Sequence, residues 1–218
     1  MQMCGGGKHG PFNSWAELVQ HWKGSRSREE ELKEHERFRR IASLGEAIKI
    51  AGLSRDEKGN LYSHQWKPGG RWPQKLEIAA RALAAKSNAD LLRQCSTFAK
   101  LHMAVGIIVN EMAGAFEDSP LYVYDVSVRI VAHLGRDLPG TSPATNPYWP
   151  DRVYLHRGTR EGAQVLQEYK VLIISGDTLE MSDLPTELQQ LDPWEVESIL
   201  CDYADDIRLM GERGLLKR

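Results

Sequence analysis

The chain predicts an all-α, multi-helix globular fold, and three observations carry that expectation. Apolar residues recur at i, i+3 and i+4 spacings through most of the 218 residues. Capping residues, prolines and glycines punctuate those stretches where helices start and stop. The only segment with β-branched character, Val171 to Ser175, is too isolated to build a sheet. Eight or nine helices are expected in one helical domain over 13–218, with possible lobes 13–117 and 118–218 around a cleft. The Gly-rich residues 1–12 form a flexible N-terminus in this reading.

Taken in order, Asn13 or Ser14 caps a first helix whose Trp15, Leu18, Val19 and Trp22 share one face. Gly24 and Ser25 end it. Arg26 to Arg40 is almost wholly charged, with Glu and Arg at i, i+4 spacing, and reads as an exposed helix. Ser43 and Glu46 form a capping box that opens an apolar helix from Leu44 to Ala51, closed by Gly52. Ser54 to Trp72 is a loop marked by Gly59-Asn60 and Pro68-Gly69-Gly70. Pro73 then starts a helix to about Lys86, Ala89 to Lys100 continues helically, and His102 to Phe116 reads as a buried helix. Asp118-Ser119-Pro120 breaks it, and Asp125 to Leu134 is an amphipathic helix closed by Gly135. Four prolines keep Arg136 to Pro150 irregular. Asp151 to His156 and Thr159 to Tyr169 read as two short helices or one bent helix. Asp192-Pro193 starts a last helix that runs to about Met210.

Composition excludes several classes. Charged residues are 27% and apolar residues 41% of the chain, ordinary for a globular protein. Six Trp and seven Tyr argue against disorder. The longest apolar run, Met103 to Val109, is far too short to cross a bilayer, and no secretory pattern is expected at the N-terminus. Cys4, Cys95 and Cys201 form no disulfide framework, so a reducing, cytoplasmic setting is expected. The seven histidines never pair at ligand spacing, so neither a metal nor another cofactor is expected. Ten acidic residues and no Lys or Arg fall between Asp177 and Asp206. Without that block, 28 basic residues face 20 acidic ones, which suggests a polyanionic partner. The plainer alternative is a solvated helical surface.

Three segments are candidates for chemistry. In the first, Leu121 to Gly135, a loop is expected to deliver Asp125 to a helix N-terminus, where backbone N–H groups keep its carboxylate ionised. Such a carboxylate can stabilise an oxocarbenium-like transition state, or Asp125 is only a cap. The second, Asn60 to Trp72, interleaves Tyr62, Trp66 and Trp72 with His64, Lys67 and Arg71. Rings that stack on bases beside cations that hold phosphates would suit a nucleic acid; equally, the tryptophans cover the core. The third, Asp151 to Ala163, places Arg157 and Arg160 around a helix start, with Thr159 as its expected cap and His156 as an acid or base ligand. Alternatively it is a basic surface turn.

Val123 to Gly135, an apolar residue followed by Asp125, Val128, Arg129 and a closing Leu134-Gly135, resembles the catalytic segment of the helix-hairpin-helix DNA glycosylase superfamily. The resemblance implies an enzyme that flips a damaged or modified base out of DNA and hydrolyses its N-glycosidic bond. Asp125 would then be catalytic. Tyr122, Tyr124 and His156 would line the base pocket, Trp66 would be the wedge, and Lys67, Arg71, Arg157 and Arg160 would hold phosphates. Family members that also cut the backbone use a Lys some twenty residues before the Asp. The nearest here is Lys100, so a monofunctional hydrolase is implied. DNA is the expected partner, with no membrane involved. The alternative is a non-catalytic helical module that binds nucleic acid or protein.

Overall fold

The computed structural model describes residues 10–54, 72–112, 120–140 and 142–216. They form an all-α fold. Ten α-helices are described, together with one two-stranded antiparallel ladder. The helices are α1 (Trp15–Lys23), α2 (Arg26–Arg40), α3 (Leu44–Leu53), α4 (Trp72–Ala84), α5 (Lys86–Gln94), α6 (Phe98–Ile107), α7 (Pro120–Leu134), α8 (Arg157–Glu168), α9 (Pro193–Asp202) and α10 (Ala204–Glu212). The ladder joins β1 (Val153–Tyr154) to β2 (Thr178–Leu179), with Val153 opposite Leu179 and Tyr154 opposite Thr178. The chain divides into two compact units, residues 1–32 with 151–218 and residues 33–150, and α2 runs from the first into the second. A split at 117/118 would pass through the middle of the second unit, where α6 packs on α7.

In the unit of residues 33–150, α3 packs on both α4 and α7, and its small side chains allow the close approach. Gly52 lies within the last turn of α3 rather than closing it, and the Ala80 backbone fills the space a side chain would need. The helix ends instead at Ser54, in the left-handed region with φ 48°. Ile48, Leu76, Leu83, Leu101, Val105, Val126 and Ile130 are buried around this packing. Cys95 to Thr97 separates α5 from α6, because the Thr97 hydroxyl accepts the Lys100 N–H at 3.4 Å and opens a new helix. A π-helical turn, Ile108–Met112, follows α6 directly.

Beyond α7, the proline-rich stretch is irregular as expected, and hydrogen bonds pin it. Arg39 donates to the carbonyls of Arg136 (2.9 Å) and Leu138 (2.6 Å). The Trp149 indole donates to the Gly140 carbonyl at 3.2 Å.

In the unit of residues 1–32 and 151–218, α8 packs on α9 and α10. Ser14 caps α1 by accepting the Glu17 N–H at 3.2 Å. Trp22 meets Tyr203 edge to face with ring centroids 6.4 Å apart. Two expected helices differ here. Asp151 to His156 holds β1, not a helix. The expected C-terminal helix breaks at Tyr203 into α9 and α10, and Asp205 and Asp206 occupy the first turn of α10, where the helix dipole favours negative charge. Val171 to Ser175 contributes no strand, and the ladder uses Thr178–Leu179 instead.

Gly162 of α8 lies against α9 so closely that an added Cβ would overlap the Leu200 carbonyl. An alanine in mid-helix ordinarily gains about 1 kcal/mol over glycine, but here the overlap decides the sign. Gly162→Ala should destabilise the protein by about 1–3 kcal/mol. Gly45→Ala, with no atom within 4 Å of the new Cβ, should stabilise it by about 0.5 kcal/mol. Urea denaturation of both variants checks the pair; equal shifts of the same sign would overturn the packing argument.

Candidate functional site

Asp125 is not at a helix start. Pro120, expected to end the preceding helix, is the first residue of α7, a position that suits its fixed φ and missing N–H. Asp125 therefore sits about one and a half turns inside the helix and is not its N-cap. Its side chain is 19% exposed, and Oδ2 lies 3.9 Å from Nη1 of Arg129, one turn on. Arg129 is 11% exposed, and its Nε lies 3.7 Å from Oε1 of Glu34 on α2. One guanidinium thus stands between two carboxylates from different helices.

Arg129 also acts on its surroundings. His35 is buried, with its ring 4.8 Å from that of Trp149. Burial first, and then the Arg129 charge, push its pKa down to about 3. Tyr122 is fully buried, and its hydroxyl donates to the Gly52 carbonyl at 2.6 Å. Burial raises its pKa well above the ordinary value, against the pull of Arg129. Tyr124 is 4% exposed and meets Phe98 and His102 edge to face. Burial pushes His102 down to about 4. Tyr122 and Tyr124 therefore belong to the helical core, where α7 meets α3 and α6.

The other predicted residues lie elsewhere. His156 belongs to the first unit, where it is the N-cap residue of α8, with Nε2 against Oε1 of Glu197. Thr159, expected as the cap, lies in the first turn of α8 and is buried. Its hydroxyl donates to Glu197 Oε1 at 2.7 Å and lies 2.8 Å from His156 Nε2. Arg157 is exposed, with Nε 3.5 Å from Glu161. Arg160 Nη2 meets Asp177 at 2.5 Å and the Gly176 carbonyl at 3.2 Å. Trp66, Lys67 and Arg71 lie outside the described residues.

Sequence reasoning missed the polar network of the first unit. Arg28 Nε donates to Glu195 Oε1 at 2.7 Å, the Ser198 hydroxyl donates to Glu31 at 3.1 Å, and Glu197 holds His156 and Thr159. Glu195, Glu197 and Ser198 are all buried. The available signal is in α9, where Glu195, Glu197 and Ser198 alternate with Trp194, Val196 and Ile199 and so point in too many directions to be one solvent face. Among the described residues, no group of His, Cys, Asp and Glu could hold a metal ion.

Two outcomes follow from the Arg129 cluster. Arg129→Met leaves Glu34 and Asp125 facing each other across a partly buried space. It should cost about 2 kcal/mol or more, less than a fully buried pair because all three groups keep some water. Asp125→Asn should cost under about 1 kcal/mol, since Glu34 still balances the cation. Thermal unfolding of both variants tests that order. His35 supplies a pH signature. Its folded pKa lies below its unfolded value of 6.5, so its contribution is complete above pH 6.5 and is lost as pH falls toward 3. Between pH 6.5 and 5, where ordinary carboxylates stay ionised, His35 alone should lower stability by about 1.5 kcal/mol, and His102, lowered by the same kind of burial, adds to the fall. A flat urea-midpoint profile across that window would contradict a buried neutral imidazole.

Comparison of the chain with family models, with curated proteins and with solved structures finds no match.

Proposed function

We propose that this protein is a non-catalytic, helical nucleic-acid-binding module in which Asp125 serves the fold. The observation that carries this reading is the setting of Asp125: interior to α7, one-fifth exposed and beside Arg129. A carboxylate meant to stabilise a sugar cation works through uncompensated negative charge in a concave site. Here an adjacent guanidinium offsets that charge before any substrate arrives. The neighbouring Tyr122 and Tyr124 are packed in the core and offer no slot for a flipped base.

Charge supports nucleic acid as the partner class. The unit of residues 33–150 holds 16 Lys and Arg against 12 Asp and Glu, whereas the other unit holds 12 against 18. Sequence-independent binding to a phosphate backbone needs this kind of local cationic excess and no chemistry.

A monofunctional DNA N-glycosylase is the second reading. The resemblance of Val123 to Gly135 favours it, as does the part of the Asp125 carboxylate that still meets solvent. One assay separates the two. The protein is incubated with duplex DNA carrying damaged or modified bases, and alkali then reveals abasic sites. The binding module should produce none, and Asp125→Asn should bind DNA as the parent does. Alkali-labile sites that the parent makes, and that fall about 10²–10³-fold in Asp125→Asn, would establish the glycosylase in its place.

A further inference from the structure

We infer that the exposed side of α4, α5 and α6 is the surface that meets the phosphates of a nucleic-acid duplex; this rests on the binding-module reading and locates its interface. The three helices are consecutive and pack in order, α4 on α5 and α5 on α6, and the π-helical turn after α6 returns to α4. Over residues 72–107 they carry five cations, Lys75, Arg81, Lys86, Arg93 and Lys100, against two acids, Glu77 and Asp90. All five cations are exposed. Among the described residues, only Arg93 of these five has a carboxylate beside it, Asp90 at 3.5 Å. Lys100 bonds the Ser96 hydroxyl at 3.4 Å, so its charge is not offset.

Elsewhere among the described residues, exposed lysines without a carboxylate beside them, such as Lys23, Lys49 and Lys170, stand singly at separate places in the chain, and most arginines are paired. Arg26, Arg37, Arg40, Arg129, Arg136, Arg152, Arg157, Arg160 and Arg208 each stand within 4 Å of a carboxylate. A cation already paired must give up that partner before it can hold a phosphate, whereas an exposed, uncompensated one exchanges only water and counterions. The phosphate-binding role expected of Arg157 and Arg160 therefore moves to α4–α6.

The chemistry of this surface narrows the ligand. The only Phe, Tyr or Trp between residues 74 and 107 is Phe98, which is buried. No Phe, Tyr or Trp ring there is available to stack on unpaired bases, and the His102 ring packs against Phe98 and Tyr124, so a single-strand platform is not what these helices present. Lysine predominates, and it meets phosphates as a point charge without reading base edges. Ile78, Leu91, Met103 and Ile107 are exposed on the same helices, but the Trp and Tyr anchors of a bilayer interface are missing between residues 74 and 107. Binding is thus expected to be electrostatic and indifferent to sequence.

Titration of a short fluorescein-labelled DNA duplex over a range of salt tests the assignment, using the full chain. The variants are Lys75→Gln/Arg81→Gln/Lys86→Gln/Lys100→Gln and Arg157→Gln/Arg160→Gln. All six sites are surface positions, and matching parent and variant melting curves confirm folding. For the quadruple variant, the slope of log K against log salt should flatten by about 0.9 for each phosphate that the variant no longer neutralises. The double variant should keep the parent slope. Equal slopes for parent and quadruple variant, or a change confined to the double variant, would overturn the α4–α6 interface while leaving nucleic-acid binding in place. A parent that binds no duplex even at low salt would overturn the binding module itself. Binding to phosphatidylserine vesicles but not to the duplex would replace both with an anionic-membrane surface.

Discussion

A guanidinium with little access to water needs counter-charge, and the unit of residues 33–150 is arranged around that demand. Arg129 projects from α7 and is met by Asp125 on its own helix and by Glu34 on α2. Removing an ion from water costs several kcal/mol, and only nearby opposite charge recovers it. Glu34 can reach Arg129 only if α2 presents that side to α7. The same requirement places His35, the next residue, in the interior, where it stays neutral against Trp149. Arg39, one turn further along α2, then reaches the carbonyls after α7 and fixes the proline-rich stretch. A helix that is nearly all charge therefore acts as a core element through a minority of its residues.

The unit of residues 1–32 and 151–218 solves a related problem with the signs reversed. Its buried charges are mostly acidic, Glu195, Glu197 and Asp206. Partners for the first two come from Arg28, His156 and Thr159. Part of the Asp177–Asp206 run, which counts as a block of negative charge, answers cations of the same unit. Asp177 answers Arg160, and Glu180 answers Arg152.

Much of the fold is legible in the sequence because it follows local rules. The caps at Ser14, Ser43 and Thr97, the proline starts and the apolar spacings mark the helices with little help from tertiary context. The differences arise where two rules compete. Pro120 can stop a helix or begin one, and the order Asp-Ser-Pro reads as a stop. That single ambiguity moves Asp125 from the inside of α7 to a helix terminus, and the chemistry inferred for it follows from the move. Tyr203 splits the last helix although Val196, Ile199, Tyr203 and Ile207 keep helical spacing across it, because apolar periodicity registers burial and not the continuity of the axis.

The candidate site is less legible, for a physical reason. Residue type identifies which groups can ionise, but pairing decides what they do, and pairing joins residues far apart in sequence. Glu34 and Arg129 are 95 positions apart, and Glu197 lies 41 from His156. A charge balance taken from the chain counts each of these groups as though it faced solvent. Four of the ten acids in the acidic block, Asp177, Glu180, Glu195 and Glu197, have basic residues beside them that lie outside the block. On α4–α6, four of five cations have no carboxylate beside them among the described residues, because those helices hold only two acids. Charge available to a partner is the part the fold leaves uncompensated, and among the described residues the run of such cations on α4–α6 lies on different helices from the one that Arg157-Gly158-Thr159-Arg160 begins.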